Sequence, residues 1–245
     1  MLRPEDFFDL DGFEFDEVFD GCEYVWEAIS RIGKYALAFI ATRDDNAIAG
    51  RVMTGAHVAD TQTVVIGEGT VVEPGAYIEG PTIIGYDCQI RHGAYIRGNV
   101  VIGNSSVIGH DTEIKNSIML NYSQAPHFAY IGDSILGNNV SVGAGTKLSN
   151  LPLNSNKDDS GRRPTIVVNV EGRDYDTGLV KFGAIVGDDA QVGCNVVTNP
   201  GCMLGKRTLV YPCVSLKKGY YPPDQIIKLR QQVEITGRKE LSSAV

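Results

Sequence analysis

Four histidines, one arginine and one lysine are the side chains whose type and spacing in this chain could do chemistry near neutral pH. Histidine changes charge in that range, so His57, His92, His110 and His127 are candidate proton acceptors. His127 follows Pro126 in the stretch Ser123-Gln124-Ala125-Pro126-His127-Phe128-Ala129-Tyr130, where the proline would stiffen its approach to the body of the fold. A neutral imidazole there could act as a general base. Zinc ligation by His92, His110 and His127 is an alternative, but their spacings of 18 and 17 contain no close pair. His57 belongs to no constellation and reads as a polar corner residue. Glu79, Arg97 and Lys115 recur at a spacing of 18. If 18 residues close one turn of a repeat, Arg97 lies beside Lys115, two like charges that are unfavourable without an anion. Two readings are open. A phosphate could be held by the arginine fork and the lysine point charge, or Glu79 could pair with Arg97 while Lys115 points into water.

The element that must position these residues is written as a repeat. Ile66, Val72, Ile78, Ile84, Ile90, Ile96, Ile102, Ile108 and Ile114 follow one another at intervals of six, which neither a helical period nor plain alternation produces. Glycine follows the aliphatic at Gly67, Gly85, Gly103 and Gly109, where the chain must turn tightly. One hexad is a short strand and a corner, and three hexads make a triangular coil that stacks on the next by parallel pairing at about 4.8 Å. The pattern returns at Leu136, Val142 and Leu148, then at Val186, Val192, Thr198, Leu204 and Val210.

This places a β-helix over residues 57–222 between an N-terminal extension, 1–56, and a C-terminal segment, 223–245. Residues 1–22 are acidic and Phe-rich, with little periodicity. Glu23 to Ala41, with Val25, Ile29, Ile32 and Leu37 near helical spacing, reads as one or two amphipathic helices. The gap in the hexads reads as a loop excursion at 116–130. A second excursion at 151–181 contains the polar run NSNKDDSGRRP and then TIVVNVEG, a strand ending in a hairpin turn. Asp224 to Leu241, after Pro222 and Pro223, reads as a C-terminal helix capping the open end of the sheets.

Composition limits the function classes. A formal charge of −8 and a pI near 5.0 argue against nucleic acid and anionic membrane as partners, so any anion site must be a local basic pocket. Five cysteines without a CxxC read as reduced thiols of a cytoplasmic protein. Met1 to Gly12 has no apolar core of a signal peptide, and no apolar run reaches membrane-spanning length.

The segment His127 to Thr146, HFAYIGDSILGNNVSVGAGT, resembles the acetyltransferase domain of the bifunctional N-acetylglucosamine-1-phosphate uridyltransferases, which carry H-x-x-Y-x-G-D followed by N-I-G-A-G-T. Glu113-Ile114-Lys115-Asn116-Ser117 is similar to that family's E-V-K-K-S. Val168 to Gly172, Lys181 to Gly187, Val192 to Val196 and Pro200-Gly201 are similar to the C-terminal half of archaeal-type sugar-1-phosphate nucleotidylyltransferases. Val25-Trp26-Glu27 resembles the P-W-D linker before their β-helix. The resemblance covers about residues 24–220 and implies the hexapeptide-repeat superfamily. The expected fold is therefore all-β, a left-handed parallel β-helix with an N-terminal helical segment and a C-terminal helix. The left hand, which departs from the usual right-handed crossover, comes from the resemblance and not from the period.

Carried over position by position, the resemblance implies that His127 is the general base and Glu113 a carboxylate near it that sets its tautomer. It implies that Arg97 and Lys115 hold the sugar phosphate, that Tyr130 and Asn150 touch substrate, and that Ala144 and Cys194 touch acetyl-CoA. Lys157 matches a lysine in the loop after the asparagine. Ser141 stands where the uridyltransferases have a substrate-contacting asparagine, which leaves the amino sugar open. A backbone N–H near Gly143-Ala144-Gly145 would hold the tetrahedral oxyanion, and Cys194 need not be a nucleophile. The implied activity is acetyl-CoA-dependent N-acetylation of an amino-sugar 1-phosphate, with no metal, in a homotrimer whose sites lie between subunits. The nucleotidyltransferase domain of those relatives is expected to be missing. Two other classes compete: a non-catalytic scaffold for a separate sugar nucleotidyltransferase, and a zinc hydratase like the hexapeptide-repeat carbonic anhydrases.

Overall fold

In a computed structural model, which describes residues 1–43 and 47–237, the hexads form a left-handed prism of three parallel sheets with nine, eight and eight strands. The first face carries Tyr77–Glu79, Tyr95–Arg97, Glu113–Lys115, Tyr130–Gly132 and Lys147–Leu148. The second carries Val64–Ile66, Thr82–Ile84, Val100–Ile102 and Ser117–Met119. The third carries Val71–Val72, Gln89–Ile90, Val107–His110, Gln124–His127 and Ser141–Val142. The chain visits the faces in that order. Coiling begins before residue 57, because Arg51–Val52 already pairs with Val71–Val72. The hexad aliphatics point inward and form one continuous buried core, so each coil is held by its neighbours above and below.

The expected excursion at 116–130 is not an excursion. It is a coil one residue short. Tyr95 pairs with Glu113, 18 residues on, but Glu113 pairs with Tyr130, 17 on. The missing residue comes from the corner between the first and second faces: Tyr95 to Val100 is five residues, whereas Glu113 to Ser117, the partner of Val100, is four. The inward positions therefore run Ile114, Met119, Ala125, Ile131, Leu136, all buried in the same core. The long insertion leaves and returns at this same corner, between Leu148 and Ala184, and contains the antiparallel hairpin Val167–Val170 with Arg173–Asp176. The other two corners keep their spacing.

One of those corners is stitched by side chains. Asn104 Oδ1 accepts from Tyr86 N, Asn121 Oδ1 from Asn104 N, Asn138 Oδ1 from Asn121 N and Asp188 Oδ1 from Asn138 N, at 2.7–3.2 Å. Each amide that the turn would strand is thereby satisfied one coil away.

The outer surface of the second face is apolar, and this decides where the N-terminal extension goes. Val65, Ile83, Val101, Ile118, Ile135, Ile185 and Met203 form a second core with Phe7, Phe8, Phe13, Phe15, Phe19 and Trp26. The insertion contributes Ile166, Val168, Val170 and Phe182 to the same layer. The phenylalanines of residues 1–22 are the side chains that fill it. The expected helical stretch becomes a 3₁₀ helix, Val25–Ser30, and an α-helix, Ile32–Ala41. Leu37 is not on its buried stripe, being 51% exposed, because Ile32 and Ala36 take the inner positions.

The C-terminal helix expected over 224–241 is absent from the described residues. Ile226–Ile227 is a strand on Leu209–Val210, and residues 228–237 form no helix. The inward positions explain this: Leu216 is followed five residues later by Tyr221 and then by Ile227, both packed against the prism core, so the repeat runs on past the prolines. Residues 238–241 of that expectation lie outside the described residues. No helix among the described residues is long and apolar enough to cross a membrane.

Candidate active site

Two columns of side chains stand on the outside of the first face. One is Tyr77, Tyr95, Glu113, Tyr130 and Lys147; the other is Glu79, Arg97, Lys115 and Gly132, the strand alternation placing both outward. Arg97 and Lys115 are therefore neighbours across one strand spacing, as counting by 18 implies. The pairing of Glu79 with Arg97, with Lys115 pointing into water, is not what the structure contains. Glu79 Oε1 accepts from Tyr95 OH at 2.9 Å, and Arg97 Nη1 donates to Glu113 Oε1 at 2.6 Å. Lys115 Nζ lies 3.6 Å from Asp133 Oδ2, with the lysine largely covered. Each cation has one carboxylate, which relieves their mutual repulsion.

Glu113 is thus engaged with Arg97 and not with the His127 ring, so the expectation that it sets the imidazole tautomer is corrected. The reason lies in the register: Glu113 pairs with Tyr130, three residues beyond His127, and faces Arg97 from the adjacent coil. The Tyr130 phenol is half-buried, and burial, then the negative charges of Glu113 and Asp133, push its pKa up, so it stays protonated.

Asn150 reaches the same corner. Its amide donates to Asp133 Oδ2, and the amide of Asn116 donates to Asp133 Oδ1 at 2.8 Å. Gly132 keeps the corner open. A Cβ there would sit 2.6 Å from Tyr130 OH and 2.8 Å from Asn150 Nδ2.

His127 ends the strand Gln124–His127 at the corner between the third and first faces, where it is exposed. It stands directly above His110 in register. His110 stacks on His92 with ring centroids 5.6 Å apart, and the Nδ1 atoms of these two rings lie against carbonyl oxygens. Three imidazoles therefore share one column, because a spacing of 17 is also one coil here. Parallel stacking aims the first two rings past a common point rather than at it. Among the described residues no group of three histidines, cysteines or acids is placed to hold a metal ion. The His127 ring has no hydrogen-bond partner among the described residues.

The same column continues upward through Ala144 and Cys194. Asn195 N donates to Ala144 O at 2.9 Å, and a Cβ on Gly143 would meet Cys194 N at 2.5 Å, so these corners stack closely. Of the three amides in Gly143-Ala144-Gly145, that of Gly143 is spent on Val192 O (2.6 Å) and that of Gly145 on His127 O (3.2 Å). Only Ala144 N–H has no partner among the described residues. Ser141 begins the strand one coil above Gln124, on the third face and away from the two columns. Lys157 lies exposed in the insertion.

Sequence reasoning did not assign Asp133 and Gly132, although both lie inside the H-x-x-Y-x-G-D stretch. The signal was available in the motif itself. A cavity of about 670 Å³ opens on the same edge, between the insertion and the coils, lined by Ser149, Leu151, Pro164, Asn199 and Lys217. None of Arg97, Lys115 or His127 lines it.

Residues 78–169 match the family described as the GMPPB C-terminal domain. Over 90 residues the chain is 34% identical to a bifunctional sugar-1-phosphate nucleotidylyltransferase/acetyltransferase of Sulfurisphaera tokodaii, a match covering 37% of this chain and 20% of that protein. Over 115 residues it is 30% identical to a bifunctional protein GlmU of Methanocaldococcus jannaschii, covering 44% and 26%. The match to the Sulfurisphaera protein thus spans about a fifth of that protein's length. A UDP-N-acetylglucosamine acyltransferase of Francisella novicida superposes with a TM-score of 0.49 at 16% identity, covering 70% of this chain and 59% of that one. By its repeat and its matched segment, the prism of this chain is a hexapeptide-repeat left-handed β-helix similar to the part of bifunctional sugar-1-phosphate nucleotidylyltransferase/acetyltransferases that the match covers.

Proposed function

We propose that this chain is an acetyl-CoA-dependent N-acetyltransferase acting on an amino-sugar 1-phosphate. One observation carries the reading. His127 and the Ala144 N–H, which has no partner among the described residues, share a corner of the first face, while Arg97 and Lys115 reach onto that face from its other edge. An amino sugar is largely protonated near neutral pH and cannot attack a thioester until it loses that proton. The unengaged His127 ring is the base that takes it. As the C–N bond forms, the carbonyl oxygen gains charge that Ala144 N–H meets. His127 hands its first proton to water, takes the second proton that the nitrogen sheds as the C–S bond breaks, and passes that one to the departing thiolate, leaving a neutral amide and free CoA thiol. Arg97 and Lys115 bind the phosphate, with Tyr130 and Asn150 as hydrogen-bonding groups between the two edges.

Residues 1–41 occupy the second face, so a trimer built around such prisms uses the first and third faces, and a neighbouring subunit walls the first. The deciding assay is release of free CoA thiol from acetyl-CoA with glucosamine 1-phosphate or galactosamine 1-phosphate. Turnover with at least one is expected. Inactivity of the wild-type chain with every amino-sugar phosphate would sink the reading and favour a non-catalytic scaffold.

The gap at Gly132 gives a sharper expectation. A methyl group there displaces only the far ends of Tyr130 and Asn150, so folding is little affected while the substrate contacts move. Gly132→Ala raises KM for the sugar phosphate about tenfold, the size of a 1–3 kcal/mol overpacking penalty taken at the site. A variant with unaltered KM would show that the opening is not part of the sugar site.

A further inference from the structure

Two carboxylates among the described residues are buried to 5% exposure, and they sit in different places. Asp188 accepts from Asp9 N at 2.6 Å, from Asn138 N at 2.7 Å and from the Asn138 side-chain amide at 3.2 Å, and it lies 3.7 Å from Lys206 Nζ, all outside the candidate site. It ties the N-terminal segment to the prism. Asp133 is engaged by side chains, and they are those of the candidate site: Lys115, Asn150 and Asn116. Burying a carboxylate is unfavourable unless its oxygens are fully used. Here both are used, on residues from the coil below and from the root of the insertion.

We infer that Asp133 is a positioning residue of the proposed sugar-phosphate site, holding the Lys115 ammonium and the Asn150 amide where a phosphate monoester meets them. The inference rests on the function proposed above and extends it to a residue that does not itself touch substrate. The backbone around Asp133 is pinned on two sides. Its N–H donates to Lys115 O at 3.1 Å, and its carbonyl accepts from Gly183 N at 2.8 Å, where the insertion returns. Its φ of 48° lies in the left-handed region, which aspartate tolerates better than most residues. The side chain is therefore fixed before any ligand arrives, and it fixes the two groups bonded to it.

Charge explains why a carboxylate is needed. Arg97 and Lys115 sit about 4.8 Å apart along the stack. Without counter-charges they would repel, and the flexible lysine would swing into water. Glu113 neutralises Arg97, and Asp133 neutralises Lys115. Both cations thus remain on the face of the free protein, ready to share a phosphate.

The test is steady-state kinetics of the full chain carrying Asp133→Asn, beside Asp188→Asn as a structural control. For Asp133→Asn, KM for glucosamine 1-phosphate should rise about tenfold or more, with kcat and KM for acetyl-CoA within about threefold. Asp188→Asn should lower the melting temperature and leave that KM unchanged. A lowered KM in Asp133→Asn would overturn the inference, since the carboxylate would then only repel phosphate. So would equal losses in kcat and both KM values, the mark of general damage. Should Asp133→Asn fold poorly, calorimetric titration of Asp133→Glu with glucosamine 1-phosphate decides. Weakened binding with an intact melting temperature supports the positioning role, and wild-type affinity overturns it. Wild-type protein that neither turns over nor binds the sugar phosphate would fell the proposed function first and this inference with it, a pattern distinct from an active wild type with an unaffected Asp133→Asn.

Discussion

His127→Ala lowers kcat for CoA release by about 10²–10⁴-fold, the span that general-base catalysis supplies, while KM for the sugar phosphate stays within about threefold. The split follows from position. His127 stands at the opposite edge of the face from Arg97 and Lys115, so its removal leaves the anchors untouched. Its ring makes no hydrogen bond among the described residues and is exposed, so stability should change by less than about 0.5 kcal/mol. His110→Ala is the control. His110 shares the column but lies one coil below and is engaged with His92 O and Asp111 Oδ2. Equal losses in both variants, or a His127→Ala enzyme that keeps its kcat, would remove His127 from the base role.

The prism was legible in the chain because a six-residue period has no other common cause. What the period could not report was its own slippage. A coil of 17 residues costs the fold nothing when the deletion falls at a corner, since the inward sequence Ile114, Met119, Ala125, Ile131 still fills the core. Read at a rigid six, that coil looks like a loop, and the stacking of His127 over His110 disappears. Met119 and Ala125 do not stand out in the sequence, because methionine and alanine are weaker hexad markers than isoleucine. The C-terminal error has the same root. Two prolines mark a boundary after which Asp224 to Leu241 reads as a helix, although Ile227 is the next inward residue.

Of the site, the cations were visible as a column, but their counter-ions were not. Glu113 and Asp133 reach Arg97 and Lys115 across one coil, and which of several acidic residues does so depends on side-chain reach and register shift. The partition of the amides near Gly143 is likewise a property of the stacked coils. Only three-dimensional pairing removes Gly143 and Gly145 from consideration and leaves Ala144.

Trp26→Ala should cost about 3–5 kcal/mol, the usual loss for a buried aromatic cut to alanine, and the loss should be local to one face. Trp26 is 2% exposed and stacks on Tyr24 at 4.8 Å, with Tyr175 and Phe182 each at 6.3 Å. It therefore joins the N-terminal extension to the hairpin and to the return of the insertion. In a stacked repeat each coil contacts only its neighbours, so a defect outside the prism need not melt the prism itself. Hydrogen exchange should show protection falling over residues 1–41 and 166–182, while the inward-facing coils between Ile78 and Ile108 keep theirs. Phe182 N donates to Asn150 O at 2.9 Å, so the loosening should reach the site as a raised KM for the sugar phosphate rather than as a lost kcat. Leu37→Ala, on the exposed side of the same layer, should change stability by less than about 0.5 kcal/mol. Loss of protection spread evenly over the coils would mean that the aromatic layer and the prism fold as one unit, and that the N-terminal segment is needed to form the helix rather than merely to cover its second face.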